Sequence, residues 1–344
     1  MSATSRIEYE LCLANLSRVN PAKETMEPQP MPRCVHCTPR SVLCRRHRKY
    51  RLVGKERLSA TMWINQYVLS HYRPTNMTAA MCCKSVFHLT NETVNIWSHL
   101  LGFLYFSWCQ WDTHMVQLPQ MGGFFSDHLV MGASLLGVQV CMFLSAAYHT
   151  FGCTSEEDRQ KWLKVDIFGI SAGLLAMYLS GIYTAFFCHK NELEQYLYWL
   201  LLIFAITAYV PTRGDFFDRK LIGSRIGLTH VIYTAVITFG VCPTAHWVRV
   251  HGGLGDEHVQ DWLPNIVVLY ALTAAAFFFY VSLFPERLSP GTFDVVGCSH
   301  QWWHLLILAA MVWWQRAGLQ MLSHHRQTAA CFQVPGFNET VSAF

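Results

Sequence analysis

Charge is what this sequence has least of. Only 14% of its 344 residues are Asp, Glu, Lys or Arg, while 52% are hydrophobic. A soluble domain carries about 25% charged residues, so a surface solvated on all sides is excluded. Cysteine is sparse for one particular use. Thirteen in so long a chain, several of them inside apolar runs (Cys109, Cys141, Cys242), lack the density of a secreted disulfide scaffold, and mostly free thiols are expected. No unbroken apolar stretch opens the chain, because Glu8 and Glu10 interrupt Ile7 to Leu16. A cleaved signal peptide is therefore not expected, and the first transmembrane helix directs insertion. Internal repeats and low-complexity tracts are absent as well.

The apolar residues gather in runs of about 20, the length that crosses a bilayer as a helix. Seven such spans are expected, at about 93–110, 128–149, 166–187, 195–210, 224–248, 262–284 and 300–322. The fourth only just reaches the required length. Thr90 or Asn91 is the expected cap of the first. Between Leu58 and Leu89 two shorter segments have apolar residues at helical spacing, Met62, Trp63, Ile64, Tyr67 and Val68, then Met81, Cys82, Val86 and Phe87, separated by Pro74. Neither can span, and both suit interfacial helices. The expected organisation is a disordered basic tail over 1–57, interfacial helices over 58–90, an all-α seven-transmembrane-helix bundle over 91–323 and a short tail over 324–344.

Nine Lys and Arg fall between Arg33 and Arg57. Arg159, Lys161 and Lys164 lie between the second and third spans, and Arg213, Arg219 and Lys220, with Arg225 just beyond, between the fourth and fifth. The opposite loops have hardly any basic residue besides Lys190 and Arg249. The positive-inside rule then places the amino end in the cytosol and the carboxyl end outside it. That is the reverse of a G-protein-coupled receptor. A nucleic-acid partner for the basic tail is disfavoured because the same chain is embedded in membrane.

Within the tail, Cys34-Val-His-Cys37 and Cys44-Arg-Arg-His47 are two ligand pairs six residues apart. They could hold a structural zinc, although the spacing is tighter than that of familiar fingers. The alternative is a flexible tail, acylated at a cysteine, whose Arg45, Arg46, Arg48, Lys49 and Arg51 lie against anionic lipid at about 1 kcal/mol each.

The last span opens with Ser299-His300-Gln-Trp-Trp-His304, two histidines four apart on one helical face, where ring nitrogens can converge on one metal ion. The second span ends in Ser145-Ala-Ala-Tyr-His149, another pair four apart, and Asp166 opens the third. The topology puts Ser145, His149, Asp166, His300 and His304 at one depth, near the cytosolic leaflet. Three histidines leave a fourth position for water, as in catalytic zinc sites. Asp166 would accept a hydrogen bond from that water, and Ser145 would act behind the ligands or steady an oxyanion. Singly, each has a plain structural reading: histidines sit at headgroup level, and an aspartate at a helix start complements the dipole. As a set they indicate a metal site, because an intramembrane carboxylate needs such a partner.

Other polar residues read as structural. His99 is expected as a hydrogen-bonding packer, His230 and His246 lie in the fifth span, the latter on the far side, and Trp247, Trp313 and Trp314 suit an interfacial aromatic belt. Asn76-Met-Thr78 and Asn91-Glu-Thr93 match the glycosylation pattern but would face the cytosol, so modification is not expected. Asn338-Glu-Thr340 is left open.

Ser145-xxx-His149, Asp166 and His300-xxx-His304, with Asn95-Ile-Trp-Ser-His-Leu-Leu-Gly102 and Pro285-Glu-Arg-Leu-Ser-Pro-Gly291, resemble the progestin and adipoQ receptor family over roughly residues 80–325. Within it, Asn91 to Gly102, Tyr178-Leu-Ser-Gly181 and Pro243-Thr-Ala-His-Trp247 are most similar to a Golgi branch that traps Raf kinase. The resemblance implies seven helices, a cytosolic amino end, a zinc ion held by His149, His300 and His304, and Asp166 against zinc-bound water. It also implies Golgi residence and a cytosolic face that holds Raf kinase away from the plasma membrane, damping the mitogen-activated kinase cascade. The tail with Cys34, Cys37, Cys44 and His47 departs from that branch, which leaves the partner less secured than the fold. Three functions compete: a Golgi scaffold for Raf kinase, ranked first, with zinc as a staple; a zinc-dependent lipid amide hydrolase acting on a sphingolipid such as ceramide; and a receptor for a steroid or adipokine, disfavoured by short outer loops.

Overall fold

A computed structural model describes residues 50–213, 220–222 and 226–328. Its long helices are α2 (Thr93–Asp112), α3 (Phe125–Phe151), α4 (Glu156–Ala185), α5 (Lys190–Tyr209), α6 (Leu228–Phe239), α7 (Val241–Val250), α8 (Glu257–Ser282) and α9 (Ser299–Thr328), preceded by the short α1 (Ala79–Ser85). An antiparallel pair, β1 (Lys220–Ile222) with β2 (Ile226–Gly227), is the one departure from an all-α chain among the described residues.

Six stretches are long and apolar enough to cross a membrane: Phe125–Phe151, Glu156–Ala185, Lys190–Thr212, Leu228–Val250, Glu257–Ser282 and Ser299–Thr328. The expected first span does form a helix, the 20-residue α2. It falls short on composition, since Asn95, Trp97, His99, Trp108, Gln110 and Asp112 dilute its apolar content. Its inward stripe is helical all the same. Asn95, His99, Gly102, Phe106 and Cys109 are buried at spacings of three and four, and Phe106 and Cys109 share a core with Leu135, Val138 and Met142 of α3 and Met311 of α9.

Close approach of α3 and α4 depends on glycine. A Cβ at Gly137 would stand 2.8 Å from the carbonyl oxygen of Ala172, so only hydrogen fits. In lipid, where helices gain no hydrophobic driving force against one another, such small-residue contacts carry the packing.

Two boundaries differ from expectation. Helix α4 begins ten residues before Asp166, because Ser155 caps it, accepting from Asp158 N at 3.0 Å, and Glu156, Glu157 and Asp158 complement its dipole in the first turn. Asp166 therefore lies well inside a helix, which removes its plain reading as a helix-start residue. The fifth span is broken at Gly240 into α6 and α7, where Tyr178 Oη donates to the carbonyl of Val236 at 2.5 Å.

The segment with Met62, Trp63, Ile64, Tyr67 and Val68 forms no α-helix. It makes 3-10 turns at Lys55–Arg57 and Ala60–Met62 and lies folded on the loop after α8. Specific bonds override its helical spacing: Leu69 N and Ser70 Oγ donate to the Asp294 carboxylate at 2.9 and 2.6 Å, and Asn65 Nδ2 donates to Glu286 at 2.8 Å. Trp247, expected in an interfacial belt, is 1% exposed and packs in a core with Ile182, Phe186 and Met321. Of the described cysteines, Cys82, Cys83, Cys109, Cys141, Cys153, Cys242 and Cys298 are free, and Cys188 is disulfide-bonded.

Candidate metal centre

Three imidazoles meet where α3 ends and α9 begins. His149 Nε2 stands 3.4 Å from His300 Nε2, and His300 Nε2 stands 3.3 Å from His304 Nε2. Ligand atoms of all three lie within 4.8 Å of one another. Zn–N bonds of about 2.0–2.1 Å at tetrahedral angles give N···N edges of about 3.3–3.4 Å. The two measured edges have that length. The rings are splayed, with planes at 54°, 74° and 65° to each other, so that their nitrogens converge rather than stack. The three histidines could hold a metal ion and leave coordination positions open.

The helix ends that carry the ligands are held from behind. Arg73, 4% exposed, donates from Nη1 to the carbonyl of Thr150 at 2.7 Å and to Ser85 Oγ at 3.0 Å, and from Nη2 to the carbonyl of His149. It thereby satisfies the last carbonyls of α3 with a cation, as a helix C-terminus prefers. At the start of α9, Glu286 is fully buried and accepts from Ser299 N at 2.8 Å and from Ser299 Oγ. Gln301 accepts from Gly297 N at 2.6 Å and donates to the carbonyl of Val295 at 2.8 Å.

The residue missing from the sequence reading is Glu92. It occupies the cap position of α2 in place of Thr90 or Asn91, but its carboxylate turns inward, accepting from Asn95 Nδ2 at 2.7 Å and pairing with His149 Nδ1 at 2.8 Å. A proton on Nδ1 given to Glu92 leaves the lone pair on Nε2, the tautomer a metal requires. Burial alone would raise the Glu92 carboxyl, but His149, followed by Arg159 and Arg73, brings it down well below the usual range. Asn91-Glu-Thr93 reads as a glycosylation pattern in sequence, yet Asn91 is fully buried. The available signal was an acid at the edge of a span.

Ser145 and Asp166 are brought together but stand outside the ligand cluster. Ser145 lies beside the Asp166 carboxylate, and both line the same cavity as the histidines. His99 differs from its expected role. Its ring lies 4.0 Å from that of His304, centroid to centroid, and neither of its buried nitrogens is hydrogen-bonded. His230 Nε2 meets Tyr280 Oη at 2.8 Å on the cavity wall, while His246 pairs with Tyr196 at the other end of the bundle. Cys34, Cys37, Cys44, His47 and Asn338 lie outside the described residues.

The cavity has a volume of about 780 Å³. It starts at the triad, Asp166 and Tyr280, then runs between α4, α6, α7, α8 and α9 along apolar walls that include Leu174, Met177, Ile182, Phe277, Ile307 and Met311.

Comparison with known proteins meets this geometry. The profile of haemolysin-III related proteins matches residues 87–315, which contain every element of the site apart from Arg73. Progestin and adipoQ receptor family member 3 from Homo sapiens is 35% identical over 286 residues, covering 83% of this chain and 90% of that protein. The chain belongs to the progestin and adipoQ receptor family. More distant members of this family align as well. The adiponectin receptor protein of Drosophila melanogaster is 29% identical over 72% of this chain and 54% of its own length. Heptahelical transmembrane protein 1 of Arabidopsis thaliana is 28% identical over 71% of this chain and 73% of its own.

Proposed function

We propose that the chain is a zinc-dependent hydrolase of a membrane lipid amide, ceramide-like in class, resident in the Golgi membrane as a seven-helix protein with its amino end cytosolic. One observation carries this reading: the three converging nitrogens and the Ser145–Asp166 pair share one end of a cavity whose remaining walls are mostly apolar. This cavity reverses the order in which the sequence alone ranks scaffold and hydrolase, because a structural staple needs neither a free carboxylate nor a lipid-sized void.

His149, His300 and His304 would hold the ion, and zinc when bound supplies Lewis acidity that polarises a carbonyl and acidifies water. The rest is done by the chain. Glu92 fixes the tautomer of His149. Asp166, steadied by Ser145, accepts a proton from the attacking water and returns it to the leaving amine, so that a fatty acid and an amine are released. Apolar walls orient the acyl chain and exclude bulk water.

Two features support the orientation. Arg159, Lys161 and Lys164 lie at the triad end, as the positive-inside rule asks of the cytosolic face. The Cys188 disulfide lies at the opposite end, between α4 and α5, where an oxidising lumen would preserve it.

The second reading is a Golgi scaffold that sequesters Raf kinase and restrains mitogen-activated kinase signalling, favoured by the 35% identity across nearly the whole of a family member. Here the ion would only staple α3 to α9. The deciding experiment measures metal by mass spectrometry and fatty-acid release from ceramide on the purified chain, wild type against His300→Ala/His304→Ala and Asp166→Ala. Zinc retained by Asp166→Ala with turnover lost supports the hydrolase; zinc in the wild type without turnover turns the reading to the scaffold. Kinase retention is best tested by deleting only residues 1–49, because Asn65 to Arg73 brace the site.

A further inference from the structure

We infer that the mouth of the cavity is an anion site, with Arg159 as its anchor, so that the cavity takes lipids with a phosphate-type head in preference to neutral ones. The charged residues lining the cavity are Glu92, Glu156, Arg159, Lys164 and Asp166. Two of the acids are bonded within the protein, Glu92 to His149 and Asn95 and Glu156 to Thr61 Oγ1 at 2.9 Å, and Asp166 lies beside Ser145. Neither base has a carboxylate within 4.0 Å among the described residues. The half-buried Arg159 guanidinium lies 5.3 Å from the centre of the Tyr148 ring and makes one long bond, 3.4 Å, to the carbonyl of Gly152.

A guanidinium withdrawn from water without a carboxylate is short of its usual partner, and its planar fork matches a phosphate or carboxylate with two parallel bonds. Stacking on Tyr148, next to His149, holds it in register with the metal centre while leaving its donors for a ligand. Lys164, five residues along α4, adds a second unpaired positive charge at the same mouth. Two cations at one mouth, the nearby Glu92 being already engaged by His149, suit a phosphate monoester, which carries about −1.5 to −2 near neutrality, better than a carboxylate. The occupant is a lipid because the cavity follows α4 from Arg159 to Ala185, roughly 39 Å at 1.5 Å per residue. This inference rests on the proposal that the cavity takes a lipid, but not on the hydrolytic step.

The test measures binding of tritiated 1-palmitoyl lysophosphatidate, palmitate and 1-monopalmitoylglycerol to the purified, zinc-loaded full chain. Wild type is expected to bind lysophosphatidate at least about tenfold tighter than monopalmitoylglycerol, with palmitate between them, as one or two charge-assisted bonds imply. Arg159→Gln should reduce that preference to within about threefold while leaving monopalmitoylglycerol binding and zinc content unchanged, and Arg159→Lys should retain part of it. In His300→Ala/His304→Ala the preference should survive. A preference that persists in Arg159→Gln but vanishes in the histidine variant would mean that the metal captures the anion, and would overturn the inference. Equal binding of all three lipids by wild type would also overturn it while sparing the lipid cavity. If Arg159→Gln weakened all three alike, Arg159 would be a packing residue and the inference would fail. Binding of none would remove the cavity reading itself.

Discussion

Helices α3, α4 and α9 are tied together at both ends of the bundle, and the two ties are made differently. At the far end, Asp127 of α3 is fully buried. It receives Tyr183 Oη of α4 at 2.7 Å, its own helix's Phe124 N at 2.7 Å, and Arg326 of α9 through Nε and Nη2 at 2.9 and 2.6 Å. Phe124 and Phe187 cover the guanidinium at 3.8 and 4.7 Å. Donors and acceptors there are matched within the protein. At the triad end, His149 and His304 are 3% and 2% exposed, and the ring nitrogens of three histidines converge on one another instead of on donors or acceptors matched elsewhere in the protein. A buried polar cluster that satisfies itself is a fastener. One that leaves convergent lone pairs is a site waiting for a cation.

The far end also has histidines, and they sharpen the contrast. His258 lies 4.8, 5.9 and 5.6 Å from His251, His324 and His325, centroid to centroid, about as close as the triad rings are to one another. Their planes, however, are inclined by only 27°, 28° and 43°. His251 Nδ1 is turned to the carbonyl of Trp247 at 2.9 Å and His325 Nε2 to that of Thr184 at 2.9 Å. These rings stack, whereas the triad rings converge, and only convergence makes a metal centre. Proximity of histidines decides little without the angle.

The largest effect separating the two ends is metal loss. Replacing His300 and His304 with Ala should remove one equivalent of zinc per chain and lower thermal stability sharply, because binding energy of a structural-strength site is folding energy. His258→Ala should leave the zinc content unchanged. Mass spectrometry and a thermal melt on the same samples check both, and loss of zinc from the His258 variant would break the distinction.

Next comes the far-end pair. Arg326→Gln leaves the Asp127 carboxylate buried without its cation, a change that costs about 3–5 kcal/mol. Asp127→Asn/Arg326→Gln should recover much of that loss, which a melt of the single and double variants measures. Neither should alter metal content. Smaller again is Glu92→Gln, expected to weaken zinc affinity by about 10- to 100-fold without abolishing it, since the ligands remain and only the support of His149 changes. Competition with a chelator of known affinity reads the difference.

Much of this was legible in sequence, for a reason that also explains what was not. His300 and His304, and likewise Ser145 and His149, lie four apart, and helical periodicity alone puts each pair on one face. The topology then brings the faces to one depth. Glu92 meets His149 across 57 positions, and Arg73 meets the same histidine's carbonyl across 76. No local period relates such residues, so only packing reveals them. The start of α4 was missed although Ser155-Glu-Glu-Asp158 announces a cap, because charged first turns look like loop to a hydropathy reading. Trp247 was assigned to the membrane interface by residue type, whereas the break at Gly240 turns α7 into the core.

Acid should affect the two ends differently, and this is the smallest effect expected. His189, in the turn between α4 and α5, is held below the ordinary histidine range first by burial and then by His251 and His246, with Glu192 opposing. A histidine whose proton affinity is lower in the folded state takes up its proton more readily when unfolded. Its contribution is therefore complete above about pH 6.5 and is lost as pH falls below that value. The His251 ring lies 5.4 Å from it, centroid to centroid, so a proton added to His189 sits beside that ring with Glu192 as the nearby acid. Lowering pH from 7 to 5.5 in zinc-saturated samples should reduce the melting temperature by a few degrees, roughly the scale of 1 kcal/mol in a protein this size. His189→Phe should flatten that dependence, since it removes the titrating ring. Glu92→Gln should leave it unchanged, because Glu92 is at the other end. A pH profile unaltered by His189→Phe would move the acid response to the triad, where protons compete with zinc for the same lone pairs.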